Sequence, residues 1–184
     1  CHMINVTNTS LDGVYIIEPK SFGDNRGWFM ESYSKRDMEA AGINVDFVQD
    51  NRSYSAKKGI IRGLHFQRNP MAQAKLVTCL CGAILDVAVD LRKDSPTYKQ
   101  WISVELNSEN RKELFIPKGF AHGFVTLTDD VEIMYKCDEF YSPEHDGGIR
   151  FDDPDIGVDW GVTDPILSEK DANAPYLRDV SLDF

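Results

Sequence analysis

Apolar and polar residues alternate over much of this chain, with a period of two. Across 83–91, Leu85, Val87, Val89 and Leu91 share one face, and Asp86 and Asp90 lie on the other. Across 131–137, Val131, Ile133, Tyr135 and Cys137 share a face opposite Glu132 and Lys136, which points Tyr135 inward. The same pattern predicts strands over 14–17, 28–33, 47–49, 60–67, 75–81, 101–106, 113–116 and 123–127. Gly82, Lys93-Asp94-Ser95-Pro96, Pro117-Lys118-Gly119 and Asp129-Asp130 punctuate them as turns. One helix is predicted: Ser34 as N-cap, Asp37 three residues on, Met38 and Ala41 as its apolar positions, and Gly42 as terminator. From Tyr141 to Phe184 the prolines and many Asp predict irregular segments wrapping the strands. Short, regularly spaced strands imply an all-β sandwich or barrel.

At 184 residues the chain suits a single domain with a real core, expected over 3–184, with Cys1-His2 read as a cloning remnant ahead of Met3. No apolar run reaches the roughly 18 residues of a membrane span. Neither a secretion leader nor a membrane partner is expected. A net charge of −10 argues against nucleic acid as a partner, while leaving room for a small anion held by a few clustered cations. Cys79 and Cys81 would point side by side from one strand, a poor disulfide geometry, so a reducing cytoplasm is expected.

Histidines carry the candidate chemistry. His65 shares a strand face with Gly63 and Gln67, whereas a regular strand would turn Arg62 away from it. Both line one cavity only if Gly63 permits a bulge or Arg62 sits at the strand mouth. His122 ends a Pro117-x-Gly119-x-x-His122 turn, which resembles the second signature of the metal-binding cupin barrels. The first signature fails: His65-x-Gln67 stands where His-x-His is required, and Gln73 and Lys75 occupy the region that should supply a glutamate. A lysine repels a divalent cation, so no metal site is expected. In a metal-free cavity, an imidazole base at His65, a phenol acid at Tyr135 and an ammonium at Lys75 form the set that moves protons beside a ketone. That chemistry requires no cofactor.

RGLHFQ (62–67), QAKLV (73–77), DVAVDLRKDSPT (86–97), IPKGFAHGF (116–124) and SEKD (168–171) together resemble the dTDP-4-dehydrorhamnose 3,5-epimerase family. FGDNRGWFMESY (22–33) and FVQDN (47–51) fit its opening portion, so the likeness runs from about Leu11 to Asp171. It implies a cupin-type jelly-roll β-barrel with a few short helices. His65 would be the base, oriented by Asp171; Tyr135 would be the acid and Lys75 would steady the enolate oxygen. Arg26, Arg62 and Lys170 would face the pyrophosphate or nearby hydroxyls. Glu31, Gln49, Asp50 and Asn51 would give polar contacts to nucleotide and sugar. Tyr141 would stack on the thymine with Phe29 in the same lining, and His122 would donate a hydrogen bond to substrate. Asp146 stands where a longer Glu is expected. The resemblance further implies a homodimer with exchanged strands, in which Arg26 to Glu31 complete the partner's site.

The activity so implied is epimerisation at C3 and C5 of dTDP-4-dehydro-6-deoxy-D-glucose, without a cofactor, for polysaccharide biosynthesis. The alternatives are an epimerase of one centre on another nucleotide-linked 4-ketosugar, a metal-dependent cupin enzyme and a catalytically silent sugar-binding barrel.

Overall fold

The computed structural model describes residues 3–184, so the expected remnant at residues 1–2 lies outside the described residues. The strands are β1 (Ile4–Asn8), β2 (Tyr15–Pro19), β3 (Ser21–Asp24), β4 (Gly27–Met30), β5 (Gln49–Ser55), β6 (Ile61–Gln67) and β7 (Lys75–Cys81). They continue as β8 (Ala83–Asp90), β9 (Trp101–Asn107), β10 (Glu113–Ile116), β11 (Phe120–Thr126), β12 (Val131–Cys137) and β13 (Asp146–Gly148). Helix α1 spans Lys35–Ala40 and α2 spans Glu169–Ala172, with a 3₁₀ turn at Leu177–Asp179.

Two antiparallel sheets face one another, ordered β1-β2-β10-β7-β12-β5 and β13-β6-β11-β8-β9; β3 and β4 form a separate hairpin. The expected all-β, cupin-type architecture is therefore present. No strand pairing among the described residues joins the two sheets, so they stack as a sandwich and do not close into the continuous barrel anticipated. Apolar side chains fill the space between the sheets, from Val77 and Cys79 on β7 to Ile84 and Ala88 on β8, Phe120 and Phe124 on β11, and Val131 and Ile133 on β12. That burial drives the stacking.

Each outer face has its own cover. Leu64, Phe66, Val87, Val89 and Val125 are sealed by Ile149, Trp160, Leu177 and Leu182 of the C-terminal segment, as the wrapping tail predicted. Ile17, Leu76 and Phe115 are covered by Met38 of α1 and by Ile43. The helix forms where its signals placed it: Ser34 Oγ accepts the Asp37 N–H at 3.4 Å, and Gly42 ends it at φ +87°.

β7, β10 and β12 match their predicted bounds. β5 begins at Gln49 and runs on to Ser55, because Phe47 is spent on the outer cluster. β11 starts three residues early, at Phe120. β1, β3 and β13 carry no strong alternation and escape prediction. The alternation in β8 holds, but its polar face is not solvated: Asp86 and Asp90 are fully buried, because β8 lies between β11 and β9 and is covered on both sides.

Candidate active site

Residues pointing inward from β5, β6, β7, β11 and β12 bound a cavity of about 260 Å³ between the sheets. Its lining includes Asn51, Arg62, His65, Lys75, His122, Tyr135, Tyr141, Asp146 and Lys170.

A bulge delivers Arg62 and His65 to this space together. His122 on β11 pairs with His65, yet Phe124 pairs with Arg62, so Gly63 and Leu64 on β6 oppose Gly123 alone. The extra residue returns Arg62 to the face of His65. Gly63 sits at φ +133°, and a Cβ there would lie 2.7 Å from Gly123 Cα and 2.9 Å from the His122 carbonyl oxygen. Only glycine fits this crossing. The sequence condition on Gly63 is met by the bulge.

His65 Nε2 lies 2.7 Å from Asp171 Oδ1, and Asp171 Oδ2 accepts the Gly63 N–H at 3.1 Å. Burial pushes the Asp171 carboxyl up; the hydrogen bond and charge of His65, the Gly63 N–H and Lys170 outweigh it, so its pKa ends below the ordinary range. An ionised carboxylate only accepts, so in the neutral imidazole it is Nε2 that carries the proton and Nδ1 that keeps the lone pair. Asp171 reaches this position on α2, whose Ser168 Oγ accepts the Asp171 backbone N–H at 3.1 Å.

Lys75 on β7 is only 8% exposed, and its Nζ lies 5.5 Å from the Tyr135 ring centre. Burial lowers its pKa, opposed by the nearby Cys137, Asp86 and Asp146. Burial raises the Tyr135 phenol, against the Asn51 side chain and Arg62, so it keeps its proton well into alkaline solution. Base, ammonium and phenol thus come from β6, β7 and β12 into one space.

His122 lines the cavity as expected, but its Nε2 is bound at 2.6 Å to the buried Asp86, which the sequence reading left unassigned. Ile84 and Ala88, apolar at the same parity, were the signal that Asp86 faces inward. Arg62 is fixed by Ser55 Oγ and the Tyr54 carbonyl, both at 3.0 Å. Lys170 pairs with Asp146 at 2.6 Å, so the short Asp146 is occupied by a cation from α2.

Six expected site residues do not line this cavity: Asp171 stands behind His65, and five others lie elsewhere. Asp50 faces outward from β5 and pairs with Lys136 at 3.0 Å, as alternation with Asn51 requires. Gln49 stands behind the lining, bonded to Asn51 and to the Tyr141 N–H. Arg26 and Phe29 belong to the detached β3–β4 hairpin, where Arg26 pairs with Asp24 at 2.6 Å and Phe29 is 65% exposed. Glu31 follows that hairpin and is exposed. Conversely, Ser53, Gln67, Gln73 and Phe124 line the cavity without having been singled out as site residues.

Among the described residues no three His, Cys, Asp or Glu side chains converge as metal ligands. Each cavity imidazole is engaged by a carboxylate, and the ammonium of Lys75 occupies the same space.

Known proteins place the chain in a family. A family model described as dTDP-4-dehydrorhamnose 3,5-epimerase matches residues 8–179. A relative of that name from Methanothermobacter thermautotrophicus is 55% identical over 174 residues, covering 93% of each chain. The crystal structure of the Bacillus anthracis dTDP-4-dehydrorhamnose 3,5-epimerase, with TDP and PPi bound, is 52% identical and superposes with a TM-score of 0.93 over 95% of this chain and 99% of its own. The Legionella pneumophila dTDP-6-deoxy-D-glucose-3,5-epimerase in complex with dTDP-4-keto-L-rhamnose is 47% identical, with a TM-score of 0.91, covering 97% of this chain and 95% of its own. With the family model matching most of its length and relatives about half identical to it, this chain belongs to the dTDP-4-dehydrorhamnose 3,5-epimerase family.

Proposed function

We propose that this chain inverts C3 and C5 of dTDP-4-dehydro-6-deoxy-D-glucose and releases dTDP-4-dehydro-L-rhamnose. One observation carries the reading: a single cavity joins a carboxylate-held imidazole, a buried phenol and a buried ammonium, each from a different strand. His65 Nδ1 takes the proton from the carbon beside the C4 ketone. The C–H electron pair becomes the enolate double bond, and the carbonyl pair moves onto oxygen, where the Lys75 ammonium balances the charge. The Tyr135 hydroxyl then gives its proton to the opposite face of that carbon. C3 and C5 both flank the ketone, so the same three groups serve both centres once the ring has turned. Between inversions the imidazolium must lose its proton and the phenolate must regain one. Asp171 holds the tautomer throughout.

Arg62 and Lys170 would take the diphosphate, for which guanidinium and ammonium donors are suited. Tyr141 would stack on the base, with Asn51, His122 and Gln49 nearby for polar contacts. The exposed hairpin supports a homodimer: Phe22, Trp28 and Phe29 are 45%, 56% and 65% exposed, and a second copy would bury them while bringing Arg26, Phe29 and Glu31 to its cavity. No described helix is long and apolar enough to cross a membrane. With free thiols at Cys79, Cys81 and Cys137, a reducing cytoplasm is the compartment we assign.

The test is product identity. Incubated with dTDP-4-dehydro-6-deoxy-D-glucose and a 4-ketoreductase, the protein should yield dTDP-L-rhamnose, and should do so equally after treatment with chelator. A sugar inverted at one carbon would select the single-centre reading, and turnover abolished by chelator and restored by metal would select a metal enzyme.

A further inference from the structure

Gln67 is 4% exposed and lies two residues beyond His65 on the same face of β6. Its amide is fully engaged. Nε2 donates to the Met71 carbonyl at 2.7 Å and to the Phe140 carbonyl at 3.1 Å, and Oε1 accepts the Ser142 N–H at 2.9 Å. Phe140 and Ser142 flank Tyr141. Two further glutamines hold the same stretch: Gln73 Nε2 donates to the Glu139 carbonyl at 2.8 Å, and Gln49 Oε1 accepts the Tyr141 N–H at 3.1 Å. Four consecutive residues, 139–142, are thus fastened by three glutamines from β6, from the segment before β7, and from β5. The stretch is otherwise exposed: Phe140 and Tyr141 are 58% and 59% accessible, and no helix or strand includes it. Its position at the cavity mouth therefore depends on these side-chain bonds.

We infer that Gln67, seconded by Gln73 and Gln49, is a positioning residue that sets Tyr141 as a platform for the nucleobase. This rests on the proposed placement of the thymine at Tyr141. A glutamine suits the task because one planar amide donates and accepts in opposite directions, so it can grip the carbonyl before Tyr141 and the N–H after it. Buried amide bonds keep that grip rigid. An exposed ring on an unfastened loop would have to be ordered by the ligand, and that entropy would be lost from affinity.

The experiment is a double-mutant cycle on dTDP affinity, read by calorimetry, with Gln67→Met, Tyr141→Ala and the pair. Gln67→Met keeps the volume and removes all three bonds. It should weaken dTDP about tenfold and raise KM far more than it lowers kcat. On the Tyr141→Ala background the same change should cost less than about twofold, because the platform is already gone. Hydrogen exchange at residues 139–142 should accelerate in Gln67→Met. Multiplying losses in the double variant, or a fall in kcat with KM intact, would overturn the inference, as would unaltered exchange at 139–142. If Tyr141→Ala itself leaves dTDP affinity unchanged while Gln67→Met still loosens 139–142, the base-platform reading fails and the fastening stands. Gln73→Leu at the more accessible anchor repeats the exchange measurement should Gln67→Met not fold.

Discussion

Replacing Asp171 by asparagine exchanges one carboxylate oxygen for an NH2 group at nearly the same volume, and its cost follows from the two bonds of the carboxylate. Oδ1 faces His65 Nε2 at 2.7 Å and Oδ2 receives the Gly63 N–H at 3.1 Å. An amide has one acceptor for these two donors. If its oxygen keeps Gly63, its NH2 confronts His65 Nε2, which must become an acceptor; the imidazole proton then moves to Nδ1 and the base is lost. If the amide turns over, NH2 meets the buried Gly63 N–H, a conflict of roughly 1–3 kcal/mol. The first arrangement wins. Catalysis then requires the disfavoured tautomer, at roughly 1.5–3 kcal/mol, and forms an imidazolium without its carboxylate, at a similar further cost. At about 1.4 kcal/mol per factor of ten, kcat/KM should fall by roughly two to four orders of magnitude. The helix should survive, since Ser168 caps it through the backbone N–H of residue 171 and not the side chain. The assay is reductase-coupled turnover, with calorimetric dTDP affinity and circular dichroism as controls. A loss under tenfold at unchanged dTDP affinity would refute the claim that this carboxylate fixes the base. A parallel loss of affinity would make Asp171 structural.

Gly63→Ala places a methyl group against the Gly123 and His122 backbone, where no side chain can yield, and should cost several kcal/mol or prevent folding. A urea midpoint equal to that of the parent would contradict the bulge. Burial, only partly offset by Thr78 and Lys136, raises the Glu113 carboxyl to about 8, whereas in the unfolded chain it titrates near 4.3. Across that window the folded state holds more protons than the unfolded one. Stability therefore falls as pH rises from about 4.3 to about 8, then levels. Glu113→Gln should lose this slope, its melting temperature gaining on the parent up to about pH 8; parallel curves would contradict the burial argument. If the hairpin completes the partner's cavity, inactive His65→Ala mixed with weakened Arg26→Ala should regain turnover, because some mixed dimers hold one intact site. Mixtures no better than the separate variants would return Arg26 to the surface.

The period-two pattern made β7, β10 and β12 legible to the residue, because each alternates between a packed core and a different outer environment. It also pointed Tyr135 inward. Asp86 went unassigned because alternation reports parity, not cover: its face, shared with Ile84 and Ala88, lies between the two sheets, and the opposing sheet comes from distant sequence. The Gly63 bulge was legible as a condition: only a backbone irregularity could bring Arg62 round to His65. Asp171 was legible through resemblance alone, although Ser168-x-x-Asp171 reads as a helix start that would have given it a fixed position. Asp50 went astray because a triplet was assigned as a unit where a strand turns every second residue away. Gln67 was noticed for the ligand it fails to be, and its partners at Phe140 and Ser142 lie more than seventy residues on, beyond any local pattern.

The central claim is that one imidazole removes the protons and one phenol replaces them from the other side. Proton NMR of dTDP-4-dehydro-6-deoxy-D-glucose in deuterium oxide tests it most directly, with the parent protein, His65→Ala and Tyr135→Phe compared. The parent should place deuterium at both C3 and C5, His65→Ala at neither, and Tyr135→Phe should exchange protons faster than it inverts either centre. Exchange persisting in His65→Ala, or inversion and exchange falling together in Tyr135→Phe, would contradict the account.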